Sequence, residues 1–90
     1  MIKSWSDDAW AEYVYWLSID KSKIKKINDL IKSIERDGSA FGLGKPEPLK
    51  NADGAFSRRI DQEHRLVYKI SEQNGQPVIF ILSCLGHYDD

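Results

Sequence analysis

The side chains of this chain best suited to moving protons and holding an anion are Glu47, Arg65 and His87. Glu47 lies in Gly44-Lys45-Pro46-Glu47-Pro48-Leu49-Lys50. Proline on both sides fixes φ at 46 and 48 and pushes residues 45 and 47 toward extended backbone. A carboxylate on so stiff a support suits general-base work, where position matters before pKa. Lys45 and Lys50 flank it and could meet phosphates; the plain alternative is a surface glutamate in a proline-rich loop. A second group is Ser57-Arg58-Arg59 followed by Glu63-His64-Arg65-Leu66-Val67-Tyr68. On alternating strands paired as a hairpin, Arg59 and Arg65 could converge on one phosphate, which guanidinium forks suit. The alternative is solvent-facing arginines paired with Asp61 and Glu63. His64 reads as a residue that packs or hydrogen-bonds beside Tyr68. The third group is Gly86-His87-Tyr88-Asp89-Asp90. Imidazole titrates nearest neutrality, and tyrosine can hydrogen-bond a phosphate or stack on a base. Taken alone, such an end is an ordinary frayed tail.

Together the three types form the minimum set for metal-free RNA cleavage. A carboxylate removes the proton from the 2′-OH, which attacks the adjacent phosphorus. Arginine stabilises the phosphorane-like transition state, and a protonated histidine gives its proton to the departing 5′-oxygen. The route needs the 2′-OH, so DNA cannot be cut this way.

The elements that must hold these groups are legible in the apolar pattern. Ile2 to Trp5 reads as a short edge strand. Ser6 or Asp7 can cap a helix over residues 7–18, with Trp10, Tyr13, Val14 and Leu17 as its apolar stripe. Asp20 can cap a second helix with Ile24, Ile27, Ile31 and Ile34 in its stripe, helped by Leu30, and Gly38 as its stop. Helices so closely joined pack as an antiparallel pair. Helical spacing makes most of Trp5, Trp10, Trp16, Tyr13 and Tyr15 core residues and not a base-stacking platform. From Gly38 to Pro48 the chain is a glycine- and proline-rich loop. Phe56 to Asp61, His64 to Ile70 and Val78 to Leu85 are strand-like, and Asn74-Gly75 predicts a hairpin between the last two. The fold class is α+β, with two N-terminal helices on one face of a twisted antiparallel sheet.

Ninety residues allow one domain over 1–90, burying roughly 60–65% of the unfolded surface. An apolar fraction of 41% and a charged fraction of 30% are those of an ordinary globular protein. No apolar run approaches the ~20 residues of a bilayer span. The N-terminus lacks an apolar core for a secretory signal. Cys84 is the only cysteine and there are two histidines, which leaves no internal disulfide and no structural zinc set. The expected compartment is the reducing cytosol, with no cofactor. Net charge is −1, but residues 21–50 carry eight Lys/Arg against four acids, while residues 1–20 and 70–90 are each net acidic. A basic middle serves a polyanion only if it clusters on one folded face; otherwise it is a solvated helix surface.

Beyond these readings, the sequence resembles the YoeB (Txe) toxins of the RelE/ParE superfamily nearly end to end. The resemblance is carried by Trp5-Ser6, Tyr15-Trp16, Lys25-Lys26-Ile27-Asn28, Lys45-Pro46-Glu47-Pro48-Leu49-Lys50, Ser57-Arg58-Arg59-Ile60, Glu63-His64-Arg65-Leu66-Val67-Tyr68 and His87-Tyr88. It implies a toxin that enters the ribosomal A site, cuts mRNA there and arrests translation. It implies Glu47 as general base, His87 as general acid, Arg65 as transition-state stabiliser and Tyr88 as an orienting group, with Lys45, Lys50 and Arg59 facing RNA. Also implied are a YefM/Phd-type antitoxin, a homodimer, and operator DNA bound only through the antitoxin complex. Two features depart from the family pattern. Asp89 and Asp90 follow the tyrosine that elsewhere ends the chain. The segment Asn51 to Ala55 is short, with Phe56 where the pattern has tryptophan. The two aspartates should repel RNA and should also favour a protonated His87. Other readings are a ParE-like toxin that inhibits gyrase without cutting, and an interaction partner that represses its own operon with an antitoxin. The latter would not need His87.

Overall fold

The computed structural model describes residues 1–86. Two side chains set up its helices. Ser6 Oγ accepts from Ala9 N at 3.0 Å and opens helix α1 (Asp7–Ile19), with Asp7 and Asp8 favourably placed in its first turn. Asp20 serves two helices at once. Its N–H bonds Trp16 O at 2.9 Å to close α1, and its Oδ1 accepts from Ser22 N at 3.0 Å to open α2 (Lys21–Asp37). The strands are β1 (Ile2–Trp5), β2 (Glu47–Pro48), β3 (Ala55–Arg59), β4 (Arg65–Gln73) and β5 (Gln76–Ser83), in the order β1-β5-β4-β3-β2. The fold class is as expected, with one departure in detail: β1 runs parallel to β5, and every other pair is antiparallel. A tight turn forces antiparallel pairing only on consecutive strands, and β1 leads into helices instead.

Asn74 and Gly75, at φ 52 and 79, turn β4 into β5 with the two left-handed residues of a tight hairpin. The core joins Ile27, Leu30, Ile31 and Ile34 of α2 to Leu66, Tyr68, Ile79 and Ile81 of the sheet. That assigns the helix-covered face, and alternation places Ser57, Arg59, Arg65 and Val67 on the other. No helix among the described residues is long and apolar enough to cross a membrane.

The stripe expected on α1 is not its buried side. Trp10, Val14 and Leu17 are 52%, 45% and 43% exposed, and Tyr15 is exposed too, whereas Ala9 and Trp16 are buried. Apolar residues surround this helix, so its packing partner decides the face. Small Ala9 lets the helix approach β5, with Cys84 Sγ 3.6 Å from Ala9 O, and Trp16 finds a partner for its indole N–H in Cys84 O at 2.8 Å. Trp10 instead stacks on Tyr13 at 5.7 Å, with Trp5 edge-on to both, near the surface.

Candidate active site

The proline-flanked segment forms the outer strand of the sheet. Glu47 lies opposite Ser57 and Pro48 opposite Phe56. Proline suits an edge strand, whose outer side needs no N–H. The segment is tied at both ends, by Arg59 N to Gly44 O at 2.7 Å and by Leu49 N to Ala55 O at 2.9 Å. Lys45 is not extended as expected but left-handed, at φ 53. The close tie from Gly44 to β3 demands that reversal and overrides the preference set by Pro46. Gly44 itself has no room for a side chain: a Cβ would lie 2.6 Å from Leu30 Cδ2.

The loop before Gly44 is held by a residue the sequence did not single out. Arg58 is fully buried, on the helix side of β3. Its Nε bonds Tyr68 Oη at 2.8 Å, Nη1 bonds Ser33 Oγ and Leu43 O at 2.9 Å each, and Nη2 bonds Gly38 O at 2.7 Å and Phe41 O at 2.6 Å. Tyr68 Oη in turn donates to Ser39 O at 2.6 Å. Burial pushes the Tyr68 phenol above its usual range, against the pull of Arg58. Only the helix-period burial of Ser33 and the loop's glycines hint at such a buried guanidinium in sequence.

On the face opposite the helices, Arg59 pairs with Arg65, and Ser57 with Val67. Glu47, Arg59 and Arg65 therefore share one surface across three neighbouring strands. Strand geometry puts the Cα atoms of Glu47 and Arg59 ~8 Å apart and those of Glu47 and Arg65 ~12 Å apart, within arginine's reach of a common anion. Neither arginine is consumed by Asp61 or Glu63. Asp61 pairs with Lys23 at 2.9 Å and accepts from Glu63 N and His64 N at 2.7 and 2.6 Å, while Glu63 faces His64 at 3.8 Å. Burial works against ionised Asp61, but Lys23 and the two backbone N–H groups outweigh it and hold the carboxyl down to about 2. Among the described residues, Arg65 Nε is buried without a partner, and Glu47 makes no side-chain hydrogen bond.

Beside this surface runs a groove of about 340 Å³ lined by Lys26, Gly44, Lys45, Arg59, Ile60 and Asp61. Lys26 joins from α2; the sequence places it in the basic block and in the Lys25-Lys26-Ile27-Asn28 segment, without a site role. Lys50 is exposed at the far end of β2, away from that groove. Among the described residues no group of three or more His, Cys, Asp or Glu could hold a metal ion. Cys84 is no nucleophile, since burial, helped by Glu12, pushes its thiol up to about 12.

After β5 the chain runs to Gly86, whose O accepts from Arg65 N at 3.1 Å and whose N donates to His64 Nδ1 at 2.8 Å. His64 thus hydrogen-bonds, as expected, but to Gly86, and its ring packs on Trp16. His87, Tyr88, Asp89 and Asp90 lie outside the described residues.

This arrangement has relatives. The profile of the YoeB-like toxins of bacterial type II toxin–antitoxin systems matches residues 5–88. The chain is 47% identical over 85 residues to toxin YoeB of Escherichia coli K12, covering 93% of this chain and 95% of that one. It superposes on the YoeB dimer from Staphylococcus aureus with a TM-score of 0.89 at 46% identity, over 98% of each chain. It superposes on the toxin of the YoeB–YefM complex from the same organism at 0.85 and 45%, again over 98% of each. Sequence and fold agree over nearly the whole chain, and it belongs to the YoeB-like toxins of type II toxin–antitoxin systems.

Proposed function

We propose that this toxin is a metal-independent endoribonuclease that cuts mRNA in the ribosomal A site and so arrests translation. The observation that carries the reading is the shared surface of Glu47, Arg59 and Arg65, none of them tied up in an ion pair among the described residues. Gly86, which precedes His87, is bonded to the backbone N–H of Arg65 itself.

In this mechanism the Glu47 carboxylate takes the 2′-OH proton and the freed oxygen attacks phosphorus. Arg65 stabilises the added charge, His87 protonates the 5′-leaving oxygen and Tyr88 orients the substrate. The products are a 2′,3′-cyclic phosphate and a 5′-hydroxyl, so atoms balance without water in this step. Lys45, Lys50 and Arg59 hold flanking phosphates. The protein works in the cytoplasm. A YefM/Phd-type antitoxin restrains it, it pairs as a homodimer, and operator DNA is reached only through the antitoxin complex. The S. aureus relatives were solved as such a dimer and as a YefM complex.

The test is a translation extract programmed with one defined mRNA, with primer extension mapping the cuts. Cleavage in the A-site codon that is lost in His87→Ala supports the reading. Equal cleavage by wild type, His87→Ala and Glu47→Ala overturns the mechanism, and intact mRNA with stalled gyrase replaces it with ParE-like inhibition.

A further inference from the structure

His64 belongs to the motif that contains Arg65, yet the proposed chemistry gives it nothing to do. Its side chain is three-quarters buried or more, at 21% exposure, and its position is fixed from several sides. Its own N–H is held by Asp61 Oδ1, and its carbonyl accepts from Ile60 N at 2.9 Å. Asp61 is in turn anchored to α2 through Lys23. The ring stands edge-on to Trp16, with centroids 4.9 Å apart at 82°. From this fixed ring Nδ1 accepts the Gly86 N–H at 2.8 Å.

That bond is one of four that hold the exit from β5. Cys84 N donates to Glu12 Oε1 at 2.8 Å, Trp16 Nε1 donates to Cys84 O at 2.8 Å, and Arg65 N donates to Gly86 O at 3.1 Å. Three of the four partners are side chains from α1 and from the start of the β4 region. A strand that merely ended would leave these backbone groups to water. Here the polar groups of Cys84 and Gly86 are each claimed, immediately before the histidine that the proposed mechanism uses.

We infer that His64 is a positioning residue, a neutral imidazole clamp that holds Gly86, the residue that precedes His87. The inference rests on the nuclease reading for its catalytic consequence. Accepting at Nδ1 requires the tautomer with its proton on Nε2, where Glu63 Oε2 lies 3.8 Å away. An imidazolium has no acceptor to offer the Gly86 N–H, so the bond itself assigns the neutral ring. The charged groups around it are Glu63 and Asp61 from the turn, Glu12 from α1, Lys23 from α2 and Arg65 on β4. Misplacing a catalytic group by ~1 Å can cost on the order of 100-fold in rate.

The test compares full-length His64→Leu, His64→Asn and His64→Gln with wild type. Asparagine places an oxygen where Nδ1 was and glutamine places one farther out. Three quantities are read: hydrogen exchange of the Gly86 amide by NMR, Tm, and kcat and KM for cleavage in the translation extract. The expected result is that His64→Leu speeds Gly86 exchange at least tenfold and lowers kcat about 100-fold with KM nearly unchanged. His64→Asn recovers most of both. His64→Gln recovers neither. Should the leucine variant fail to fold, the contrast between asparagine and glutamine decides. Gly86 exchange insensitive to all three substitutions, or kcat falling only in step with Tm, overturns the inference. A wild type that cuts no mRNA, while His64→Leu still frees the Gly86 amide, removes the nuclease reading and leaves the clamp standing.

Discussion

Arg58 and Arg59 are neighbours in sequence with opposite fates, because successive residues of a strand face opposite sides of the sheet. Arg58 spends its guanidinium inside, on five hydrogen bonds that gather the loop after α2. Replacing it with methionine strands three loop carbonyls and should cost on the order of 3 kcal/mol or more, measured by urea denaturation. Lysine should recover little, since one ammonium cannot reproduce a planar five-donor fork. Glu47 and Arg65 make the converse case. Glu47 is exposed, so Glu47→Gln should stay within ~0.5 kcal/mol of wild-type stability. Its cleavage rate should fall ~100-fold or more if the carboxylate is the base. Arg65→Lys should likewise slow cleavage ~100-fold by removing a transition-state donor, read in the same primer-extension assay. Wild-type rates for both would leave the shared surface without a catalytic role.

Between elements, the turn from β3 to β4 couples the site to the helices through Asp61. Its carboxyl is held at about 2 instead of 3.8, so the folded state binds its proton more weakly than the unfolded state does. The resulting stability is complete above pH ~4 and is lost as pH falls from there through about 2. With roughly a quarter of each partner facing solvent, the screened contribution is on the order of 1 kcal/mol. Asp61→Asn should therefore be less stable than wild type at pH 7, and the two urea midpoints should meet near pH 2. A gap independent of pH would mean that the carboxylate's charge is not what stabilises the turn. This turn also marks the limit of what local sequence encodes. The second helix, with Ile27, Leu30, Ile31 and Ile34 inward, the Asn74-Gly75 hairpin and the edge strand at Ile2–Trp5 follow from local period and turn chemistry, and the structure has them. The face of α1 did not follow, because an apolar residue lies on every side and only β5 decides between Trp10 and Trp16. The burial of Arg58, the left-handed Lys45 and the bond from His64 to Gly86 depend on contacts between residues 10 to 25 positions apart. No periodicity encodes such contacts.

For the molecule as a whole, net charge says little and placement says more. The basic block of residues 21–50 reaches the site through Lys26 and Lys45, which line one groove with Arg59, a strand away from Arg65. Lys3, by contrast, is held by Glu35 at 3.0 Å on β1, the opposite edge of the sheet. If RNA lies along the groove and the sheet face opposite the helices, binding should weaken linearly in log salt, by ~0.7 per phosphate contacted for a single strand. A cleavage-blocked His87→Ala protein and a short single-stranded RNA allow that slope to be measured by fluorescence anisotropy. Adding Lys26→Ala, Lys45→Ala or Arg59→Ala should each flatten the slope by about 0.7, whereas Lys3→Ala should leave it unchanged. Removing Asp89 and Asp90 should act differently, because a carboxylate binds no phosphate and two added anions only repel a polyanion. Their deletion should tighten binding at ~0.05 M salt and make little difference at ~0.5 M, where the screening length falls to about 4 Å. Equal slopes for Lys3→Ala and Arg59→Ala would mean that RNA does not track this face.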